Sequence, residues 1–243
     1  AADGSGRLIA MNTDYSQVHV HDADGWRTHR VGGRIKNGGP FSEAAAMALK
    51  PDGSALAVLD VDKKMVVRFD ARDWRKPPLV FGGPGKNNGQ FQAPLAIAQD
   101  EAGRMYVLDS DAYRVSVFDP SGIFLFAFGE KGSAANQLDT PNLFAVSPAG
   151  DAAYVFDADT YEVKKFLLDQ TAKSGRHVGN GGGKGYDPGQ LRTPVAMGVD
   201  RSGILHVFDS KREDWQAIDF RGNSALALGA RKAEEIVRSA TTM

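Results

Sequence analysis

Residues 91–129 decide the fold, and they read FQAPLAIAQDEAGRMYVLDSDAYRVSVFDPSGIFLFAFG. Four short runs rich in Val, Ile, Leu, Phe and Tyr lie between polar turns that carry Glu-Ala-Gly, Asp-Ser-Asp and Pro-Ser-Gly. Short apolar runs separated by such turns are typical of β-strands joined by hairpins. The stretch therefore predicts a four-stranded antiparallel meander.

The same unit recurs along the chain. The residue that ends each second strand marks the register, and these residues are separated by 48, 49, 48 and 52 positions. They are Asn12, Asp60, Asp109, Asp157 and Asp209. A four-stranded unit repeated every ~40 to 50 residues is the signature of a β-propeller. We predict an all-β protein with a single domain, residues 1–243, whose five four-stranded blades correspond approximately to repeats 1-40, 41-90, 91-137, 138-190 and 191-243.

The two ends of the chain bear on how such a propeller closes. Five periods fill the chain. In the repeat alignment, the C-terminal residues after Gly229 end close to the position at which the N-terminal residues before Gly6 begin. This favours a five-bladed ring in which the two ends complete one blade. A part of a six-bladed or longer propeller is the alternative.

The second and third strands differ in pattern. Residues 105–108 and 153–156 are apolar on both faces, as expected where a sheet is sandwiched between its neighbours. Residues 114–118 and 162–166 alternate instead, so we expect polar residues such as Ser116 and Lys164 to lie near the rim.

Composition excludes several function classes. The chain has 29 Lys and Arg against 30 Asp and Glu, with a net charge of -1, so bulk positive charge does not hold nucleic acid and no nucleic-acid partner is expected. No apolar run approaches the ~20 residues of a membrane span, so no membrane insertion is expected. The absence of cysteine removes disulfides, thiolate metal sites and cysteine nucleophiles. Together with Ala as first residue, it leads us to expect an extracytoplasmic protein, periplasmic or secreted.

Cations mark the Gly-rich connections between repeats. The residues are Arg34, Lys36, Lys86, Lys131, Lys184, Arg231 and Lys232. Because the connections are equivalent, a propeller would place these cations around one face, where they could recognise an acidic protein patch, a carboxylated glycan or phosphate. We predict Lys36, Lys86, Lys131 and Lys184 as partner-binding residues. The alternative is that the charges only keep solvated loops soluble.

A second candidate site is the long connection that contains Trp74. The tryptophan is flanked by Arg72 and Arg75, and an aromatic residue beside arginines is typical of a partner-binding anchor. We predict all three as partner-binding residues. The alternative is a tryptophan folded back onto its own blade.

Metal and catalytic sites are not predicted. Paired carboxylates at the ends of the second strands could hold calcium, but an Asp that recurs in nearly every repeat is better explained as an acceptor of backbone N–H groups in its own hairpin. The five His residues bring no third metal ligand together in the repeat alignment. No G-x-S-x-G motif occurs, so we expect no catalytic residues, no metal and no cofactor.

Three connections share a frame that resembles the NHL repeat. Residues 85–94 read GKNNGQFQAP, residues 185–194 read GYDPGQLRTP, and residues 132–141 give a weaker copy, GSAANQLDTP. The early copies depart from the frame, since Ala44 replaces the proline, and the basic residue of the third strand is kept only as Arg114. NHL propellers commonly bind proteins, RNA or peptides and usually have six blades.

We therefore expect a non-catalytic protein-protein interaction or scaffold module, a subunit of a larger assembly with one or more protein partners. One alternative is a metal-dependent propeller enzyme, similar to the lyase or lactonase kind. The other is a glycan-binding propeller with one shallow site in each blade.

Overall fold

The structure is a computed structural model and describes residues 6–33, 40–220 and 226–231. These residues form five antiparallel sheets, and in each sheet the strands follow one another in chain order. The predicted all-β fold of meander blades is therefore confirmed. No helix with the length and apolar character needed to cross a bilayer occurs among the described residues.

The strands are numbered in chain order. Blade 1 contains β1 (Leu8–Asn12), β2 (Gln17–His21) and β3 (Arg27–Gly32). Blade 2 contains β4 (Ala44–Leu49), β5 (Ala55–Asp60), β6 (Met65–Asp70) and β7 (Leu79–Gly82). Blade 3 contains β8 (Pro94–Gln99), β9 (Met105–Asp109), β10 (Arg114–Phe118) and β11 (Phe124–Phe128). Blade 4 contains β12 (Pro141–Val146), β13 (Ala152–Asp157), β14 (Glu162–Asp169) and β15 (Ser174–Gly182). Blade 5 contains β16 (Pro194–Val199), β17 (Leu205–Asp209), β18 (Asp214–Asp219) and β19 (Leu226–Arg231).

Blade 1 differs from the others in its strand content. Its first described strand ends at Asn12, the position that Asp60 occupies in blade 2. Strands β1 to β3 therefore correspond to the second, third and fourth strands of the other blades. The described residues of blade 1 form a three-stranded sheet, whereas blades 2 to 5 each have four strands.

The chain packs as two compact units, residues 1–128 with blades 1 to 3 and residues 129–243 with blades 4 and 5. In the first unit, apolar side chains of neighbouring blades form two buried clusters, represented by Val20, Val58 and Phe69 and by Leu59, Val107 and Phe118. In the second unit, blades 4 and 5 share a cluster that includes Phe156, Val163, Val207 and Ile218. Each core thus lies between the faces of adjacent sheets.

Three of the second strands are buried throughout their length. Every residue of Ala55–Asp60, Met105–Asp109 and Ala152–Asp157 is buried. This confirms the expectation drawn from their continuous apolar pattern. The expectation for the third strands is wrong for Ser116 and Lys164, which are 0% and 1% exposed and do not lie at a rim. Lys164 can be buried because its ammonium group meets a carboxylate and a backbone carbonyl.

Candidate functional site

Each blade has two ends with different loops. In an antiparallel sheet, the turns between second and third strands lie at the same end as the connections from the fourth strand to the next blade. Hydrogen bonds join these loops, since Gly83 N–H donates to Lys64 O at 2.7 Å and Gly183 N–H donates to Tyr161 O at 2.7 Å. We refer to this end as the connection end. The loop with Trp74 joins the third and fourth strands of blade 2, so it lies at the opposite end of its blade.

A buried aspartate organises the connection end of each of blades 2 to 5. Asp109 is 0% exposed and accepts backbone N–H groups from Gln92 at 2.7 Å, Ala93 at 2.9 Å and Ala112 at 3.0 Å. The equivalent carboxylates are also fully buried and accept the same kinds of bond; they are Asp60, Asp157 and Asp209. The predicted hairpin capping is confirmed. The bonds to the residues before the first strand were not predicted, and they fasten each connection to the blade that it enters.

The connections themselves have one shared conformation. Gln90 accepts the N–H of Asn87 on its side chain at 3.2 Å and returns its own N–H to Asn87 O at 3.1 Å. Gln137 and Gln190 repeat this arrangement in the next two connections. A Cβ at Gly85 would lie 2.1 Å from the side-chain oxygen of Gln90, so this position admits only glycine.

A polar side chain of the third strand forms a hydrogen bond with the backbone of each of these loops. Arg114 donates to Asn87 O at 3.1 Å, and Lys164 donates to Gln137 O. In blade 5, Gln216 accepts the N–H of Gly189 at 3.1 Å. Different side chains thus fix the same loop, which makes the connection end a rigid support.

The loop register shows which of the predicted lysines are equivalent. Lys131 and Lys184 occupy the same position, since each forms a parallel bridge, to Leu138 and Leu191 respectively. The first of the three loops has Pro84 at that position. Lys86 lies two residues further on, and Lys36 lies outside the described residues. The structure therefore aligns only two of the four predicted lysines position for position.

Two tyrosines join these cations in the second unit. The Lys184 ammonium lies 4.7 Å from the centroid of the Tyr161 ring, and the Arg192 guanidinium lies 4.9 Å from that of Tyr186. Both distances fit cation–π contacts. Tyr186 is 60% exposed, and Lys131 and Lys184 are exposed too. We call Lys131, Tyr161, Lys184, Tyr186 and Arg192 the tyrosine–cation surface. The sequence predicts its lysines but not its tyrosines or Arg192.

The Trp74 loop has a different character. Trp74 is half-buried in the cluster between blades 1 and 2, and its ring lies 6.1 Å from Phe69 and 6.2 Å from His29. The geometry matches the alternative of a tryptophan folded back onto the blades. Arg72 lies 3.7 Å from Asp52, with its side chain 69% exposed. Arg75 is 94% exposed beside Asp73, and partner binding by Trp74 and by these two arginines stays a prediction.

Comparison with known proteins bears on the repeat type. No protein-family model matches the chain. Over 153 residues, 63% of the chain, it is 29% identical to Protein brain tumor from Drosophila melanogaster. Over 74 residues, 29% of the chain, it is 38% identical to RING finger protein nhl-1 from Caenorhabditis elegans. Both relatives are NHL-repeat proteins. The resemblance of these repeats to the NHL repeat is therefore confirmed.

The matches cover only 14% and 8% of the lengths of these two relatives. Among solved structures, a chain of hydrazine synthase from Kuenenia stuttgartiensis aligns with a TM-score of 0.56 and 15% identity, over 88% of this chain and 73% of that one. At that identity the likeness shows the fold alone. The activities of these whole proteins are therefore not assigned to this chain.

The NHL frame has a direct physical explanation in blade 3. Gly85 leaves room for the side chain of Gln90, and that side chain accepts the N–H of Asn87 within the same loop. Phe91 is fully buried, and a Cβ at Gly82 would lie 2.6 Å from its ring. Pro94 then begins β8, where a missing N–H is tolerated at the start of a strand. The frame therefore encodes the connection end of a blade.

Blade 5 has an open hollow on one face. A hollow of about 440 Å³ opens beside Met197, His206 and Trp215. His206 Nε2 lies 2.9 Å from Asp200 Oδ2, where blade 3 has a buried tyrosine–aspartate pair. Burial raises the pKa of Asp200, but hydrogen bonds from His206, Ser202 and backbone N–H groups outweigh it and lower the pKa to about 2. Among the described residues, no group of three or more His, Asp or Glu could hold a metal ion.

Replacing Trp74 by Ala tests its packing role. Because the ring is only half-buried, we expect a loss of about 1 to 2 kcal/mol in the free energy of unfolding, less than for a fully buried tryptophan. Arg75→Ala is the matched control, and an exposed pair of this kind contributes under ~0.5 kcal/mol. Urea unfolding followed by circular dichroism measures both. Equal stability of the two variants would show that the ring does not support the core.

Proposed function

We propose that the chain is a non-catalytic protein-protein interaction or scaffold module, working as a subunit of a larger assembly. The observation that carries the proposal is the tyrosine–cation surface on the rigid connection end of the second unit. We also retain an extracytoplasmic location as a proposal.

Rigidity favours binding at this surface. The glutamine caps and the third-strand side chains fix the loops before any partner arrives. A surface that is ordered in advance loses little conformational entropy when it binds. Tyr186 and Arg192 are of the residue types that contribute most energy to protein interfaces.

The charge of the surface favours a protein partner over a polyanion. The strand-ending Asp157 and Asp209 are buried and bonded to backbone N–H groups, so they present no carboxylate to solvent. Asp139 and Asp187 are exposed on the same loops as the cations. A mixed pattern of this kind gives specificity to a complementary surface with an acidic centre.

Reversing the two equivalent lysines tests the proposal. We expect Lys131→Glu with Lys184→Glu to weaken binding of a co-purifying protein by about tenfold or more, because like charges then face the acidic part of its surface. The tagged chain is isolated gently from its native host, its particle mass is measured by light scattering, and partners are identified by mass spectrometry. The affinity of the purified partner is then measured for each variant.

The matched control is Lys173→Glu, which changes an exposed cation in the turn between β14 and β15, at the opposite end of blade 4. It should leave both the particle mass and the affinity unchanged. A particle of the chain's own mass, or equal binding by the double variant and the wild type, would contradict the proposal.

A further inference from the structure

The outer face of blade 1 is basic, and the tyrosine–cation surface does not include it. Along β2 the side chains alternate, so that Val18 and Val20 are buried against blade 2 while His19 and His21 lie on the other face. The imidazole centroids are 6.5 Å apart and their planes differ by 15°. Two parallel imidazoles therefore stand on a face that blade 2 does not cover.

Two arginines complete this face. Strand β3 pairs with β2 so that Arg30 lies opposite His19 and Arg27 lies opposite His21. Directly opposite residues of an antiparallel pair project to the same side of the sheet. Both arginines are exposed, and no ion pair joins either of them to an acid within the described ranges. We call His19, His21, Arg27 and Arg30 the basic face.

Two acids, Asp22 and Asp24, lie in the adjoining turn, and no ion pair joins either of them to the basic face among the residues that the structure describes. On the other side of β2, strand β1 places Leu8 opposite His21 and Ala10 opposite His19. In the adjoining turn, Asp22 accepts the backbone N–H groups of Asp24 and Trp26. Burial lowers the pKa of His19, and the positive charges of Arg27, His21 and Arg30 lower it further. An anion that approaches this face relieves the repulsion among its cations.

We propose that the basic face, together with the neighbouring Trp26, binds a carboxylate-rich segment of a partner protein, and binds it more tightly as the pH falls. Trp26 is 76% exposed and immediately precedes Arg27, so it offers an aromatic anchor at the edge of the patch. Carboxylates accept hydrogen bonds from guanidinium and imidazolium groups alike.

The size of the face favours a short acidic segment over nucleic acid. Two residues along each of two strands span roughly 7 Å by 5 Å, enough for about two carboxylates. Single-stranded nucleic acid needs a longer cationic groove with several stacking aromatics. Among the large aromatic side chains of blades 1 and 2 that the structure describes, Trp26 and Tyr15 are the exposed ones, which is fewer than such a groove needs.

The direction of the pH effect follows from proton linkage. A bound anion stabilises the protonated imidazoles of this face, so binding takes up protons and tightens as the pH falls. The gain in affinity is complete at pH values below the pKa of His19 in the free protein. It is lost at pH values above the pKa of His19 in the complex. Since glutamate remains ionised above about pH 5, we expect roughly tenfold tighter binding at pH 5.5 than at pH 7.5.

Hexaglutamate is a suitable probe, and nuclear magnetic resonance of the histidine side chains is the readout. The pKa of His19 and the ring chemical shifts of His21 and of His206, which belongs to the second unit, are measured with and without the peptide, and the affinity is measured by calorimetry at both pH values. We expect the pKa of His19 to rise by about half a pH unit or more, the ring resonances of His21 to shift with it, and those of His206 to stay constant.

Arg27→Gln with Arg30→Gln should abolish the rise, and these exposed substitutions leave the core untouched. Arg72→Gln with Arg75→Gln, at another exposed site of the same unit, should preserve it. Equal changes in the ring resonances of all three histidines, or an affinity that does not depend on pH, would overturn the proposal. Tighter binding of octauridylate than of hexaglutamate would overturn it in favour of a nucleic-acid site.

Discussion

Asp109→Ala is expected to lower the free energy of unfolding by about 3 kcal/mol or more. The carboxylate is fully buried and accepts three backbone N–H groups from two loops. Removing it leaves three buried donors without a partner, and each costs about 1 kcal/mol or more. The substitution also releases the connection from the blade that it enters. Urea unfolding monitored by circular dichroism measures the loss.

Asp109→Asn is the matched control, because it keeps the size of the side chain and one acceptor oxygen. Blade 1 has Asn12 at the same position, where it accepts the N–H of Tyr15 at 3.3 Å. We therefore expect the asparagine variant to lose less than half as much stability as the alanine variant. Equal losses would indicate that the carboxylate acts only by filling space.

Lys164→Met is expected to lower the free energy of unfolding by about 3 kcal/mol. The ammonium lies 3.3 Å from Asp157 Oδ2, with side-chain exposures of 1% and 0%, and it also donates to Gln137 O. Methionine fills the space of the aliphatic chain but leaves a buried carboxylate with less compensation and a carbonyl without its donor. Trp215 fluorescence during urea unfolding reports on the second unit.

Lys173→Met, in the exposed turn between β14 and β15, controls for the loss of one positive charge. Adding Asp157→Asn to the Lys164 variant should recover part of the stability, because it removes the unpaired charge. Two results would contradict a stabilising buried pair. One is a Lys164→Met variant no less stable than the control; the other is a double variant whose loss of stability equals the sum of the two single losses.

Local patterns in the sequence were sufficient for the architecture. The period of about 49 residues and the turn residues predicted the blades because each blade is built from neighbouring segments. The aspartate that ends each second strand was recognised as a cap since it recurs in a fixed register. Its bonds to Gln92 and Ala93 were not foreseen, because those residues lie 17 and 16 positions earlier in the chain.

The candidate surface was only partly predictable. Lys131 and Lys184 were found because loop lysines recur in the repeat, and Lys86 was grouped with them although it lies two positions away. Tyr161 and Tyr186 come from different loops, and only the folded chain brings each beside its cation. Lys164 was expected near a rim because alternation reports which face a residue takes and does not report what covers that face.

Site-specific photocrosslinking tests the central claim, protein binding at the connection end, most directly. Benzoylphenylalanine is introduced at Tyr186 in one variant and at Lys173 in another, and each is irradiated in cells of the native host. We predict a defined crosslinked protein from position 186 and none from position 173. Crosslinks from position 173 alone, or a chain that stays monomeric with no crosslink from position 186, would contradict protein binding at the connection end.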